Sequence, residues 1–292
     1  MSATSERLRK EFGEGDAKRD AGLKTPEDVV RYDNIQYGED AKMNLLDVYR
    51  PKAAEGKLPV ILNIHGGGWV YGDKEVYQFY CMSLAQRGFA VVNFTYRLAP
   101  EVKFPAPLED TNRVVEWMYE NQERYGFNLN QVFAVGDSAG AHLLGLYTCI
   151  MTDEAYAKNY AFRIPEEFRF RAIALNCGVY SFASPTMSAE EDYELRQDML
   201  GEVTEEKLEK IEVLPYINAG FPPVFVMSAL GDFCRKHVIE LAAKLESLEI
   251  PMALHIYGTK ETPLYHVFHC NMREPLAHQC NDDECSFFKS WM

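Results

Sequence analysis

The sequence predicts an α/β protein in which a mostly parallel central sheet is flanked by helices and carries a helical cap insertion. Six short apolar runs, rich in β-branched and aromatic residues, have the length and composition of buried strands. Segments with helical spacing separate most of these runs, and strands that alternate with helices form parallel sheets covered on both faces. The six runs are LPVILNIH, FAVVNFTY, QVFAVG, RAIALNCG, PPVFVMSAL and MALHIYG.

The elements before these runs follow a different pattern. Residues 1–30 are polar and predict an N-terminal cap segment that is helical in pieces. In TPEDVV, Thr25 and Pro26 are the residue types of a helix cap and a first helical position, so a helix is predicted to begin there. Two alternating segments, Tyr32–Tyr37 and Met43–Tyr49, flank GEDAK and predict an antiparallel hairpin.

Helical spacing between the core strands is clearest in Glu109–Glu123, His142–Met151 and Lys236–Glu249. The stretch 181–221 breaks the alternation, because it is charged and helix-prone and contains no apolar run of strand type. It predicts a cap insertion over the carboxyl ends of the strands, with a long surface connection as the alternative. The chain shows no internal repeat and no second core, so residues 1–292 are predicted to form a single domain.

Composition and charge limit the partners of the protein. Its 292 residues are 47% hydrophobic and 25% charged, a globular composition with enough apolar surface for a sizeable core. The net charge of −14 disfavours nucleic acid and anionic membranes, and no apolar run approaches the ~20 residues of a membrane span. The seven cysteines form no C-x-x-C pair and no zinc-type spacing, so we expect no metal. Reduced thiols and a charged N-terminus without an apolar signal region predict a cytoplasmic protein.

A Gly-x-Ser-x-Gly motif, GDSAG, lies between a predicted strand and a predicted helix. This strand–turn–helix setting is what gives the motif its chemical meaning. The tight turn holds Ser138 in a strained backbone conformation, and the small residues Gly136 and Gly140 let the strand and the helix approach each other. The setting therefore predicts that the Ser138 hydroxyl is presented as a nucleophile near the positive end of the helix dipole.

A serine nucleophile needs a base and an orienting carboxylate, because its hydroxyl is weakly reactive by itself. In folds that present serine on such a turn, the chain order is serine, then a carboxylate, then histidine. Asp232 follows the run PPVFVMSAL, and His266 follows the next run, MALHIYG. Both strands can end at the edge of the sheet that carries Ser138. Ser138, Asp232 and His266 are therefore the predicted catalytic residues.

Other residues remain alternatives for these roles. Asp232 could instead cap the helix that follows it, with Glu261 as a second carboxylate candidate and Glu240 less well placed within that helix. His269 lies three residues after His266 and is an alternative base. The other candidate histidines are more typical of packing or of local hydrogen bonding, and they are His142, His237 and His255.

Three consecutive glycines follow the apolar run LPVIL, in the stretch NIHGGGWVYGDK. Donors to a developing oxyanion must approach the substrate without an intervening side chain, which glycine permits. Gly67 and Gly68 are therefore predicted to donate backbone N–H groups, with Ala139 after the nucleophile as the third donor. His65 is predicted to hold the shape of the loop, and Trp69 to form a wall of the substrate pocket. An ordinary glycine-rich turn is the alternative.

Several motifs together resemble one known family. HGGGW, YRLAPEVKFPAPLED, GDSAG, the Asp232 loop and HVF occur in the order seen in the hormone-sensitive-lipase-like branch of the α/β-hydrolases. The resemblance covers roughly residues 30–292 and implies an α/β-hydrolase fold and a carboxylesterase activity. Carried over to this chain, it implies the same nucleophile, carboxylate, base and oxyanion donors. The sequence departs from the family in a short N-terminal part and in Val267, where a small residue is usual.

These observations predict a serine carboxylic ester hydrolase that acts on small, short-acyl esters through an acyl-enzyme and needs no cofactor. The alternatives are an amidase or formamidase with the same residues, a carbohydrate O-acetyl esterase, and a non-catalytic binding module. The C-terminal tail supports the carbohydrate alternative, because it is similar to small bacterial esterases found beside carbohydrate-degrading enzymes. The expected partner is a small-molecule ester, and a homo-oligomer is left open.

Overall fold

Eight strands form one sheet in the computed structural model, which describes residues 1–292. The strands are β1 (Val29–Gln36), β2 (Leu45–Pro51), β3 (Leu58–Ile64), β4 (Ala90–Phe94), β5 (Phe127–Asp137), β6 (Ala172–Asn176), β7 (Val224–Ala229) and β8 (Met252–Tyr257). The helices are α1 (Ala3–Asp20), α2 (Lys74–Gln86), α3 (Ala106–Tyr125), α4 (Ala139–Thr152), α5 (Glu154–Ala157), α6 (Ala189–Leu200), α7 (Glu205–Glu209), α8 (Arg235–Ser247) and α9 (Pro275–Lys289). Short 3₁₀ turns lie at Leu214–Tyr216 and Phe268–Cys270.

The strand order is β1-β2-β4-β3-β5-β6-β7-β8. The β1–β2 and β2–β4 pairs are antiparallel, and every pair from β4–β3 to β7–β8 is parallel. This arrangement confirms the predicted α/β class, the mostly parallel sheet and the antiparallel hairpin. Because parallel strands end at the same edge, the loops after β3, β5, β7 and β8 meet there, and ligands of open α/β sheets bind at that edge.

The central strands are apolar throughout because both faces of the sheet are covered. On β3, Val60 and Leu62 belong to the larger cluster of buried hydrophobic side chains, whereas Ile61 belongs to the smaller one. Successive side chains of a strand point to opposite faces, so the two clusters are the two layers between the sheet and its helices. Continuous apolar runs such as PVIL are the expected sequence of such a doubly covered parallel strand.

The N-terminal segment differs from its prediction in two ways. The helix of residues 1–30 is one continuous helix, α1, rather than several pieces, and the Ser2 side chain caps it by accepting from the Ser5 N–H. TPEDVV does not begin a helix, so that prediction was wrong. Val29 and Val30 instead start β1, where they pair with β2, and the Val29 side chain is buried. Strand pairing of these β-branched residues overrides the local Thr-Pro signal.

The insertion 181–221 contains two helices, α6 and α7, and a 3₁₀ turn, and it contains no strand, as predicted. The first turn of α1 packs on α6 through polar contacts. Ser5 Oγ and the Ser2 N–H both donate to Asp198 Oδ2, at 2.6 and 2.8 Å. The Thr4 N–H donates to Glu194 Oε2 at 2.9 Å. The N-terminal helix and the insertion thus contact each other directly. No helix is long and apolar enough to cross a membrane.

Candidate active site

Ser138 occupies a sharp turn between β5 and α4. Its backbone is in a left-handed conformation, with φ of 52° and ψ of −119°, which L-residues rarely adopt. The flanking glycines make this turn possible, because a Cβ on Gly136 would lie 2.6 Å from the carbonyl oxygen of Gly140. The Ser138 N–H donates to the carbonyl of Asn176 on β6 at 2.9 Å, which ties the turn to the neighbouring strand. The hydroxyl is therefore held at the carboxyl edge of the sheet.

His266 and Asp232 come together with Ser138 in a chain of hydrogen bonds. The Nδ1 atom of His266 lies 2.7 Å from Asp232 Oδ1, and the Nε2 atom lies 2.9 Å from Ser138 Oγ. Asp232 follows β7, and its carboxylate also accepts from the Ser228 hydroxyl at 2.6 Å and from the Cys234 N–H at 2.9 Å. An ionised carboxylate only accepts hydrogen bonds, so Nδ1 carries the proton and Nε2 is left to accept from the serine.

The electrostatics favour this protonation pattern. Burial acts to raise the pKa of Asp232, but the hydrogen bonds from His266, Ser228 and Cys234 outweigh it, and the pKa lies below its usual range. Asp232 is therefore ionised at neutral pH. It can orient the imidazole and stabilise the imidazolium that forms when His266 takes a proton from the serine hydroxyl.

The alternative residues lie elsewhere. His269 is 1% exposed, its Nε2 atom is 3.5 Å from Cys270 Sγ, and burial lowers its pKa to about 3. Glu240 accepts from the Ser184 hydroxyl at 3.0 Å, and Glu261 is exposed to solvent. The structure thus brings His266 and Asp232 to Ser138, and it does not bring these other groups there.

The glycine loop after β3 presents two free backbone donors. Gly67 and Gly68 have φ values of 117° and 60°, which favour glycine, and a Cβ on Gly67 would overlap the carbonyl of Tyr71. Neither N–H donates to another group of the protein. The N–H of Ala139 belongs to the first residue of α4 and has no intrahelical acceptor. All three residues line the same cleft as Ser138, so the arrangement can bind an oxyanion there.

His65 and Trp69 frame this loop. His65 is fully buried, its Nδ1 atom lies 2.7 Å from the Gly66 carbonyl, and its ring stacks on Tyr96 at 4.0 Å. Burial lowers the pKa of His65 to about 4, so the ring is neutral. Trp69 lines the cleft and donates from Nε1 to His142 Nδ1 at 3.1 Å. The interior histidine supports the loop, and the tryptophan bounds the space next to Ser138.

The cleft holds about 780 Å³ of open space, including its mouth. Much of its wall is apolar and comes from the N-terminal helix and the insertion. Sequence reasoning did not assign these lining residues. Phe233, whose ring centroid lies 4.2 Å from that of His266, could have been found from its position beside Asp232. The α1 and insertion residues in the wall are Leu8, Phe12, Asp16, Arg19, Thr186, Met187 and Leu195.

Two further residues behind the loop escaped sequence reasoning. Asp137, inside GDSAG, is 1% exposed, and its carboxylate accepts from the Tyr77 hydroxyl at 2.7 Å. Burial raises the pKa of Asp137 to about 6, although the Tyr77 hydroxyl and the nearby His266 act to lower it. The position of Asp137 next to the nucleophile was the available signal. Tyr77 carries no such signal, since it lies on a helix 60 residues away in the chain.

Comparison with known proteins places the chain among ester hydrolases. The BD-FAE family model matches residues 46–234. Esterase LipQ of Mycobacterium tuberculosis is 27% identical over 210 residues, covering 68% of this chain and 48% of that protein. Carboxylesterase NlhH of the same organism is 31% identical over 136 residues, covering 45% of this chain and 43% of its own length.

The structural likeness extends over nearly the whole chain. The crystal structure of esterase B from Lactobacillus rhamnosis matches with a TM-score of 0.87 and 25% identity, covering 99% of this chain and 95% of that one. The curated relatives are matched over a smaller part of their length. The chain spans between 30% and 48% of versiconal hemiacetal acetate esterase from Dothistroma septosporum, of LipQ and of an α/β hydrolase from Acanthamoeba polyphaga mimivirus.

Proposed function

The chain belongs to the BD-FAE family of α/β-hydrolases, and on that premise we propose that it is a serine esterase that hydrolyses small, short-acyl carboxylic esters. The observation that carries the proposal is the hydrogen-bond chain from Asp232 through His266 to Ser138. The relatives described as esterases and carboxylesterases support the reaction class. They leave the natural ester of this protein to experiment.

In the first half of the reaction, His266 Nε2 takes the hydroxyl proton as Ser138 Oγ attacks the ester carbonyl carbon. The carbonyl oxygen becomes an oxyanion, which the N–H groups of Gly67, Gly68 and Ala139 bind. The tetrahedral intermediate then collapses, the C–O bond to the alcohol breaks, and His266 gives its proton to the departing alkoxide. The products of this half are a free alcohol and an acyl group on Ser138.

In the second half, a water molecule replaces the alcohol. His266 takes a proton from the water as its oxygen attacks the acyl carbon, and the same backbone donors bind the new oxyanion. When this intermediate collapses, the bond to Ser138 Oγ breaks and His266 returns the proton to the serine. A carboxylic acid leaves. Asp232 stays ionised throughout and stabilises the imidazolium in both halves.

We propose that segments 1–30 and 181–221 act together as the cap of a single domain. The hydrogen bonds between α1 and α6 and the lining residues that both segments supply support this role. Leu8, Phe12 and Leu195 give the cleft an apolar wall that suits an acyl chain of a few carbons, and Trp69 bounds the same space. The seven buried, unpaired cysteines support a reducing location such as the cytoplasm.

The test is a panel of p-nitrophenyl esters with acyl chains of two to sixteen carbons, assayed with the wild type and with Ser138→Ala. We expect kcat/KM to be highest for acetate to hexanoate esters and the variant to be inactive. A matched p-nitroanilide and an acetylated sugar separate the amidase and carbohydrate esterase alternatives. Absence of turnover on every ester would overturn the proposal.

A further inference from the structure

The proposed oxyanion donors come from two separate parts of the chain. Gly67 and Gly68 belong to the loop after β3, whereas Ala139 belongs to the turn after β5. Three donors stabilise one oxygen only if the two parts keep a fixed separation, and a displacement of about 1 Å can reduce a rate by ~10². A contact that joins the two parts is therefore a candidate for positioning the site. This reasoning rests on the proposed esterase function.

One side-chain hydroxyl joins these two parts. Tyr77, on α2, accepts a hydrogen bond from the Gly66 N–H at 2.9 Å and donates one to Asp137 Oδ2 at 2.7 Å. Gly66 directly precedes the two donor glycines, and Asp137 directly precedes the nucleophile. Tyr77 is 6% exposed and Asp137 is 1% exposed, so bulk water has little access to this contact. A single buried oxygen thus bridges the glycine loop and the nucleophile turn.

The identity of Gly66 is an independent sign that the two parts must approach closely. A Cβ at this position would lie 2.7 Å from Asp137 Oδ2, 2.9 Å from the Asp137 carbonyl oxygen and 2.9 Å from the Tyr77 hydroxyl. Real Cβ atoms essentially never come within 3.0 Å of such atoms. The first of the three consecutive glycines is therefore required by this contact, whereas the second and third have the positive φ values and the free N–H groups.

We propose that Tyr77 is a positioning residue that sets the distance between the two halves of the oxyanion hole, by holding Gly66 against Asp137. Its hydroxyl does not touch the reacting atoms in this account. It acts through the backbone of its two partners. Removing it leaves a buried N–H and a buried carboxylate without their shared partner, and the loop then loses its fixed position relative to Ala139.

The test compares Tyr77→Phe with a matched control, Tyr49→Phe. Tyr49 is also fully buried, and its hydroxyl also donates to an aspartate, Asp47, at 2.8 Å, but it does not line the cleft. Assays at pH 8 on enzyme titrated for active serine give kcat and KM, and a thermal melt gives stability. For Tyr77→Phe we expect kcat to fall about 10- to 100-fold, with KM within about threefold of the wild type.

A transition-state analogue supplies a readout that general destabilisation does not move. Butaneboronic acid forms a tetrahedral, anionic adduct with an active serine, so its inhibition constant should rise by about the same factor as kcat falls. Tyr49→Phe should melt at a lower temperature yet keep kcat and the inhibition constant within about twofold of the wild type. Gly66→Ala, which forces the same two parts to separate, should reproduce the kcat loss of Tyr77→Phe.

The outcomes separate this inference from the proposed function. A wild type with no ester turnover overturns the proposed function and this inference with it. An active wild type together with unchanged kcat and boronate affinity in Tyr77→Phe overturns the positioning role alone. The double variant Tyr77→Phe/Asp137→Ala should lose no more activity than the worse single variant, because both changes break one contact. Fully multiplied losses would contradict the shared contact.

Discussion

His266 Nε2 lies 2.9 Å from Ser138 Oγ, although 128 residues separate the two in the chain. The parallel sheet makes this contact possible, because β5 and β8 end at the same edge. His269, only three residues further on, is buried on the other side of the turn beside Tyr80. Val267, with φ of 51°, turns the chain between the two histidines. The structure therefore assigns different surroundings to two residues that the sequence could not separate.

This difference predicts unequal effects of two alanine variants. His266→Ala should lower kcat by about 10³-fold or more, since the base is lost. His269→Ala should lower the melting temperature, because it leaves a cavity, and should change kcat less than about fivefold. Steady-state kinetics on both purified variants, with thermal melts as the control for folding, check the order. The reverse order would transfer the role of the base to His269.

The glycine loop predicts a graded series. Gly67→Ala drives a Cβ into the Tyr71 carbonyl and should lower kcat by about 10²–10³, as does the loss of an oxyanion donor. Gly68→Ala has room, since its Cβ would lie 3.7 Å from Leu8, and should lower kcat less.

A glycine outside the site supplies the control for this series. Gly22 has φ of 79° and open space around it, so Gly22→Ala should strain the backbone and leave kcat unchanged. The measurement is kcat per titrated serine, alongside a thermal melt. Equal kcat in all three variants would contradict the oxyanion assignment of the loop.

The cap predicts a change in acyl preference. Met187, from the insertion, lines the cleft, so Met187→Ala should enlarge the acyl space. We expect the ratio of kcat/KM for octanoate over butyrate esters to rise about three- to tenfold, which corresponds to about 1 kcal/mol of differential binding. Tyr193 is 54% exposed on α6 and outside the cleft, so Tyr193→Ala is the control and should keep the wild-type ratio. An unchanged ratio in Met187→Ala would place the acyl chain elsewhere.

A buried carboxyl on α9 predicts how stability depends on pH. Glu284 is fully buried, accepts from Asn176 Nδ2 at 2.7 Å and from the Tyr80 hydroxyl at 2.9 Å, and burial raises its pKa from 4.5 to about 7. Between these two values the folded protein binds more protons at this site than the unfolded chain does. This group therefore favours folding below pH 4.5, and its contribution is lost as the pH rises through about 7.

Glu284→Gln should remove that dependence, because glutamine does not ionise. At pH 5 the variant and the wild type should differ little in unfolding free energy. At pH 8 the variant should be more stable by roughly 1–3 kcal/mol, at about 1.4 kcal/mol for each unit of pKa shift. Chemical denaturation at both pH values measures the difference. A variant that is equally destabilised at pH 5 and pH 8 would show that the carboxyl acts only through its hydrogen bonds.

The fold was largely predictable, because buried parallel strands have a distinct composition. Each of the six apolar runs became a strand, and the turn around Ser138 could be located because a strand precedes it and a helix follows. The error at TPEDVV came from a local signal that pairing with β2 overrides. The continuous helix α1 was not predicted, since its glycines and charges gave it no apolar face. Its few cleft residues, such as Leu8 and Phe12, carry no periodicity of their own.

The site was predictable only where chemistry restricts the residue type. The motif GDSAG and the order of Asp232 and His266 gave enough information to place three groups along the chain. The Tyr77 contact could not be found in this way, because a tyrosine on an amphipathic helix has the same pattern whether or not its hydroxyl meets a partner. Contacts between Gly66, Tyr77 and Asp137 depend on how three elements pack, and no spacing in the sequence encodes that geometry.

The central claim is that Ser138 is the nucleophile of an ester hydrolase, and active-site labelling tests it most directly. The wild type is treated with one equivalent of a fluorophosphonate, digested and analysed by mass spectrometry, while residual esterase activity is measured. The account predicts one adduct, on the peptide that contains Ser138, with activity lost in proportion to labelling, and no adduct in Ser138→Ala. An adduct on a different serine that accompanies the loss of activity, or full turnover by Ser138→Ala, would contradict the account.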